Sequence, residues 1–229
     1  IHFGNFGFKT KIRSFVLLQN ILPFMQKNLK NTLLKHFINR SVKLSKYIIV
    51  QLQHMSAVLQ EEHQDKIIEI GAFEEVNVDA SNKSGKIVFF GSDVPNKNYD
   101  FMVKVLKIIS KNSTITVINP PKRINEFNCV YTETQDQTMN ILSENEIYFH
   151  ASEHETVGLP IYEAQNLGLK IVVPKKPYSE YFTNENVFFY EYKNIDSAVQ
   201  KIEQAKNVKL KNSKALIYNE NWTKILEYI

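Results

Sequence analysis

The feature that most constrains this chain is a rhythm between residues 86 and 174. Four apolar runs recur there: "KIVFFG" (86–91), "TITVIN" (114–119), "EIYFHA" (146–151) and "KIVVP" (170–174). Helix-patterned segments separate them, at 99–110, around Gln137–Ser143, and from Pro160 onward. Strands alternating with helices of this length predict an α/β fold with a parallel sheet covered on both faces.

Upstream, "RSFVLLQN" (13–20) reads as a buried strand. Residues 23–46 read as a helix, with Pro23 at its start and Leu29, Leu33 and Phe37 recurring at helical spacing, a stripe expected to pack on a sheet. "YIIVQ" (47–51) is a strand, "HMSAVLQEEH" a short helical piece and "KIIEIGAF" (66–73) another strand. The polar stretch 74–85 reads as a linker, and 213–229, with the only tryptophan, Trp222, as one or two helices.

Composition narrows the function classes. A chain of 229 residues can bury a substantial core. The formal net charge of +4 comes from scattered lysines and suits an anionic partner, not a nucleic acid, which calls for a concentrated basic stripe. Cys129 is the single cysteine, which excludes an intrachain disulfide and any multi-cysteine metal site. The six histidines do not cluster at ligand spacing and there is no Asp-x-Asp, so no metal is expected. No run is long enough to span a membrane, and a start at Ile1 without methionine reads as a fragment lacking its N-terminal part.

The chemistry concentrates in "HASEHETVGLPIYEAQNLGLKIVVP" (150–174). In a doubly wound sheet, ligands bind beyond the carboxyl ends of strands, and "SEHETVG" is such a loop. Pro160 suits a first helical residue, Gly158 permits close approach of backbone to ligand, and the N–H groups of this turn make a place for phosphate. Glu155 and Glu163 flank the turn, and carboxylates suit pairs of sugar or ribose hydroxyls. Two glutamates around an anion site describe a nucleotide-sugar, with hydroxyl-bearing ends at the carboxylates and diphosphate between.

This segment resembles the donor-site motif of retaining glycosyltransferases of family 4: two glutamates separated by seven residues, with Gly-Leu-Pro between them and Glu-Ala at the end. The resemblance implies a GT-B fold: two Rossmann-like domains with parallel sheets, the N-terminal one incomplete. It implies an acceptor part over 1–78, a donor domain over 79–214, and a C-terminal helix over 215–229 crossing back to the first domain. It implies that Glu155 contacts donor-sugar hydroxyls, Glu163 the nucleotide ribose, and the backbone of Thr156, Val157, Gly158 and Leu159 the diphosphate. "KIVFFGSDVPNKNYDF" resembles the family's first strand and phosphate loop, placing Gly91, Ser92 and Lys97 at the diphosphate, with Ser92 where the family usually has arginine. The family's strand-end histidine corresponds to Gln19 and Asn20, and His2 is the other histidine near a strand end.

The implied reaction is metal-independent transfer with retention, with Glu155 and Lys97 catalytic and no cofactor beyond the sugar nucleotide. The acceptor would be a glycan or lipid-linked sugar, as in bacterial surface polysaccharide synthesis, and the place of work cytoplasmic. Lys27, Lys30, Lys35, Arg40, Lys43 and Lys46 form the most basic region, which reads either as a solvated helix face or as peripheral contact with the anionic inner face of the cell membrane.

Overall fold

The computed structural model describes residues 14–25, 28–78, 85–209 and 213–228; His2 and Lys27 lie outside these. The chain divides into two compact units, Ile1–Phe73 with Tyr218–Ile229, and Glu74–Ile217.

In the first unit, strands β1 (Phe15–Leu18), β2 (Tyr47–Val50) and β3 (Ile67–Glu69) pair in that order, all parallel. The region 23–46 is two helices, α1 (Leu22–Met25) and α2 (Leu29–Leu44). Asn28 divides them: its backbone is extended, and its side chain caps α2 by accepting from the Asn31 N–H at 2.8 Å. Side chains alternate along a strand, so Val16, Leu18, Ile48 and Val50 meet Ile38 and Val42 of α2 on one face. Phe15, Leu17, Ile49 and Ile68 meet Ile225 on the other.

The stripe expected to face the sheet points outward: Leu29, Leu33 and Phe37 are 80%, 55% and 51% exposed. Ile38 and Val42, one turn apart, occupy the sheet-facing side instead, with Asn31 and Ser41 beside them. The piece read as a short helix is two 3-10 turns, Gln53–Val58 and Glu61–Lys66. The run 66–73 is broken after β3, and a new strand, β4 (Gly71–Val78), carries on through half of the expected linker. A Cβ on Gly71 would fall 2.0 Å from the Gln51 carbonyl oxygen, so only glycine allows this approach.

The second unit holds six parallel strands: β5 (Ile87–Phe90), β6 (Ile115–Ile118), β7 (Asn128–Val130), β8 (Ile147–Phe149), β9 (Lys170–Pro174) and β10 (Val187–Tyr190). Their spatial order is β10-β9-β8-β5-β6-β7. The chain therefore runs outward from β5 to β7, then returns to β8 and runs outward the other way. The order reverses between β5 and β8, where the loops leave in opposite directions and open a crevice. Helices α3 (Tyr99–Ile109), α4 (Gln135–Ser143), α5 (Leu159–Asn166) and α6 (Ile195–Asn207) connect the strands. Val105 and Leu106 of α3 and Ala198, Ile202 and Ala205 of α6 close over Phe89, Phe149 and Val172. The expected α/β fold with parallel sheets is present.

The final strand, β11 (Ser213–Glu220), pairs with β4 in a two-stranded sheet, and the division between units falls within both strands. Residues 215–220 are therefore strand, not helix, and only Trp222–Tyr228 is helical, as 3-10 turns. A short run such as "ALIY" suits either state, and the ladder offered by β4 decides it.

Candidate functional site

The loop after β5 and the loop after β8 are stitched together at the reversal point. Pro95–Lys97 forms a 3-10 turn, and Asn98 follows in the left-handed region at φ 51°. The Asn96 carbonyl accepts from the Glu153 N–H at 2.7 Å, and Asn96 Nδ2 donates to the His154 carbonyl at 3.0 Å. Asn98 Nδ2 donates to the Ala151 carbonyl at 2.8 Å. These bonds fix where Lys97 leaves the backbone.

Lys97 Nζ lies 2.5 Å from Glu155 Oε1, although 58 residues separate them in sequence. His150 Nε2 lies 3.2 Å from the same oxygen, within ion-pair range but without an aligned hydrogen bond. The imidazole is anchored on its other side, where Nδ1 is 3.0 Å from the Tyr148 hydroxyl. Burial pushes the Tyr148 phenol well up, so it keeps its proton. Burial also raises the Glu155 carboxyl, but contact with His150 and the charge of Lys97 outweigh this and hold it at about 2. Glu155 is thus a buried carboxylate kept ionised by two basic partners.

Lys97, Tyr148 and His150 border a cavity of about 210 Å³ that Ser92, Ser152 and Pro160, among others, also line. A wider cleft of about 720 Å³ is lined by Ser92, Asp93, Pro95, Asn98, Asp100 and Lys122, among others. Gly158 enters α5 at φ 80°, and Leu159 is the first helical residue with Pro160 second, one place later than expected. The helix start leaves the N–H of Leu159 without an intrahelical acceptor, and Pro160 has none to offer. Gly168, at φ 73°, ends α5: its N–H meets the Gln165 carbonyl at 2.9 Å and the Leu169 N–H meets that of Ala164 at 3.0 Å.

The structure therefore brings Ser92, Lys97, Glu155 and the start of α5 together. The Glu155 side chain is only 10% exposed and is held in the ion pair. Glu163 has different surroundings: it stands on α5 and accepts from Gln135 Nε2 of α4 at 3.0 Å. Gly91 is demanded by packing, since a Cβ there would lie 2.4 Å from Pro120 Cα. His150 and Tyr148 were missed by the sequence reading. Their signal was the period of two in "YFH" at the end of a strand, which puts both side chains on one face.

No protein-family model and no curated protein matches the chain. Solved structures do. A crystal structure of TarM matches with a TM-score of 0.64 at 16% identity, over 85% of this chain and 43% of that one. A mutant of TarM from S. aureus, in complex with fondaparinux, alpha-GlcNAc-glycerol and UDP, matches at 0.65 and 18%, over 86% and 44%. WaaG, a glycosyltransferase involved in lipopolysaccharide biosynthesis, matches at 0.63 and 13%, over 89% and 68%. Over the part it covers, the chain shares the GT-B fold of these structures. It spans less than half the length of the TarM chains it matches. Open α/β sheets place ligands at such a reversal point, and here that point carries the Lys97–Glu155–His150 cluster.

Proposed function

We propose that the unit Glu74–Ile217 binds a nucleotide-diphosphate sugar, and that the protein transfers the sugar, with retention and without a metal, to a glycan or lipid-linked acceptor. The observation that carries this reading is the meeting of Lys97 and Glu155, from separate loops, at the strand-order reversal beside the start of α5. Lys97 and the N–H groups at Gly158 and Leu159 supply positive potential for a diphosphate, and hence for the leaving group as its bond to the sugar breaks. Glu155 supplies acceptors for sugar hydroxyls and Glu163 for the ribose. On this reading the unit Ile1–Phe73 with Tyr218–Ile229 belongs to the acceptor side, and the product is a bacterial surface polysaccharide such as lipopolysaccharide or capsule.

Ser92 favours a second reading, a non-catalytic sugar-nucleotide-binding subunit of the same fold. It adds no positive charge where the resemblance calls for arginine, and its Oγ accepts from the Val94 N–H at 3.3 Å. Calorimetric titration with nucleoside diphosphates, followed by transfer and hydrolysis assays with the matching sugar nucleotide, separates the two. Binding with turnover supports the enzyme, and binding without turnover across acceptors supports the subunit. Absence of nucleotide binding, or binding indifferent to Glu163→Ala, overturns both.

A cytoplasmic place of work with peripheral membrane contact belongs to the same proposal. Among the described residues no helix is long and apolar enough to cross a membrane. The outward stripe Leu29, Leu33 and Phe37 lies on a helix whose Lys30, Lys35, Arg40 and Lys43 add positive charge, a composition suited to an anionic bilayer surface. Flotation with phosphatidylglycerol vesicles should carry the protein up, and Leu33→Glu with Phe37→Glu should abolish this; equal flotation of the double variant would exclude α2 as the contact.

A further inference from the structure

Glu155 Oε1 has two basic neighbours of opposite character. Lys97 is the closer, at 2.5 Å, and its side chain is one-third exposed on a loop turn. His150 is the more rigid: its side chain is 7% exposed, and its carbonyl accepts from the Tyr190 hydroxyl at 2.9 Å. Its N–H donates to the Val172 carbonyl at 2.9 Å, and its ring meets the edge of Tyr178 at 5.9 Å.

The protonation pattern of this imidazole follows from its neighbours. The Tyr148 hydroxyl carries its proton and can donate it to Nδ1, which places the ring hydrogen on Nε2. The other neutral tautomer would set a lone pair on Nε2 against a carboxylate 3.2 Å away. Nε2 is buried, faces Glu155 at that distance and has no aligned hydrogen bond, a condition that is unfavourable for a buried donor. Lys97, being nearer, sets the carboxylate's present orientation.

Resting on the reading above, in which Lys97 engages a diphosphate and Glu155 a sugar, we propose that His150 is a positioning residue that takes over Glu155 when the ligand's phosphates draw Lys97 away. The carboxylate then turns onto Nε2–H, stays charged without Lys97, and presents its outer oxygen to the sugar hydroxyls. A buried carboxylate deprived of its lysine would be costly, and His150 removes that penalty. Lys97 thus serves the nucleotide end and His150, through Glu155, the sugar end.

The experiment is calorimetry on the full chain with UDP, GDP, ADP and CDP, and with the glucose ester of whichever binds. His150→Phe should leave the nucleoside diphosphate within two-fold of the unaltered protein and weaken the sugar nucleotide by about ten-fold, the effect of losing one charge-assisted hydrogen bond. His150→Gln, which can offer an N–H to Glu155, should restore most of the loss. Lys97→Ala should weaken both ligands. Equal weakening of both by His150→Phe, no weakening of either, or no rescue by glutamine would overturn the proposal. Should His150→Phe fail to fold, Tyr148→Phe replaces it, with the same split at about three-fold expected and an equal loss of both ligands counting against. If the unaltered protein binds none of the four nucleotides, the functional reading falls and the proposal with it; if it binds them and only the split is absent, the functional reading stands alone.

Discussion

Lys170 and Glu146 sit at the amino ends of β9 and β8, whereas Lys97 and Glu155 sit beyond the carboxyl ends of β5 and β8. The first pair is closed. Lys170 is 1% exposed, its Nζ meets Glu146 Oε1 at 2.6 Å and the Ala205 carbonyl at 2.7 Å, and the Gly85 N–H donates to Glu146 Oε2. In the second pair Lys97 lines a cavity, and the donor beside the pair, His150 Nε2, is unsatisfied. The same two residue types thus make a structural clamp where the polar groups are saturated and a candidate ligand site where they are not. Charge alone would not tell them apart; the remaining hydrogen-bonding capacity does.

The largest effect should come from opening the closed pair. Lys170→Met strands a buried carboxylate, and urea unfolding should show a loss of about 3–5 kcal/mol. Nucleoside diphosphate affinity of the folded protein should stay within two-fold, measured by calorimetry. A loss below about 1 kcal/mol would mean that the amino-end pair is no more structural than the other.

Acid tests the second pair next. The Glu155 carboxyl lies at about 2 in the folded chain, below the ordinary 4.5. A lowered value contributes stability that is present above the unfolded-state pKa and lost as pH falls through the folded one. Stability should therefore drop by about 3 kcal/mol as the pH falls from about 4.5 to about 2. Glu155→Gln should flatten that part of the profile, and an unchanged slope would deny the pair its role. At neutral pH, Lys97→Ala should weaken nucleoside diphosphate binding about ten- to hundred-fold while costing less than half of the Lys170→Met effect in stability. The smallest stability effect belongs to Glu163→Ala, within about 0.5 kcal/mol, because its Gln135 contact is exposed. Its sugar-nucleotide affinity should nevertheless fall severalfold, and no change would remove Glu163 from the site.

The sheet of the second unit was legible where strands are buried on both faces, as in β5, β6, β8 and β9. β7 escaped because it is a three-residue edge strand with Asn128 exposed and Cys129 and Val130 only partly buried. β10 and α6 went unassigned, and the direction faced by α2 was misread because apolar residues stand on both of its sides. In the site, the residue types were legible but not their partnership. Nothing local in "PNKN" shows that Lys97 reaches Glu155; that contact depends on which two strands become neighbours at the reversal. His150 was hidden for a related reason, since a lone histidine gains meaning only when its strand face is known.

The left-handed backbone positions of the second unit follow the same division between ends. At the amino edge and its approaches they fall on Gly85 and Gly168, which tolerate a positive φ without strain. At the carboxyl edge they fall on Asn98, Asn119 and Lys193 as well as Gly158, and each of the three side chains is in use. Asn98 holds Ala151 and Tyr192, Asn119 holds Thr132, and Lys193 lies 5.0 Å over the Tyr192 ring. Glycine would ease the backbone at all three, but at Asn98 and Asn119 it would remove the hydrogen bonds just named, so selection for heat resistance should accept it first at Lys193. The two asparagines hold a left-handed backbone in exchange for contacts at the carboxyl edge of the sheet.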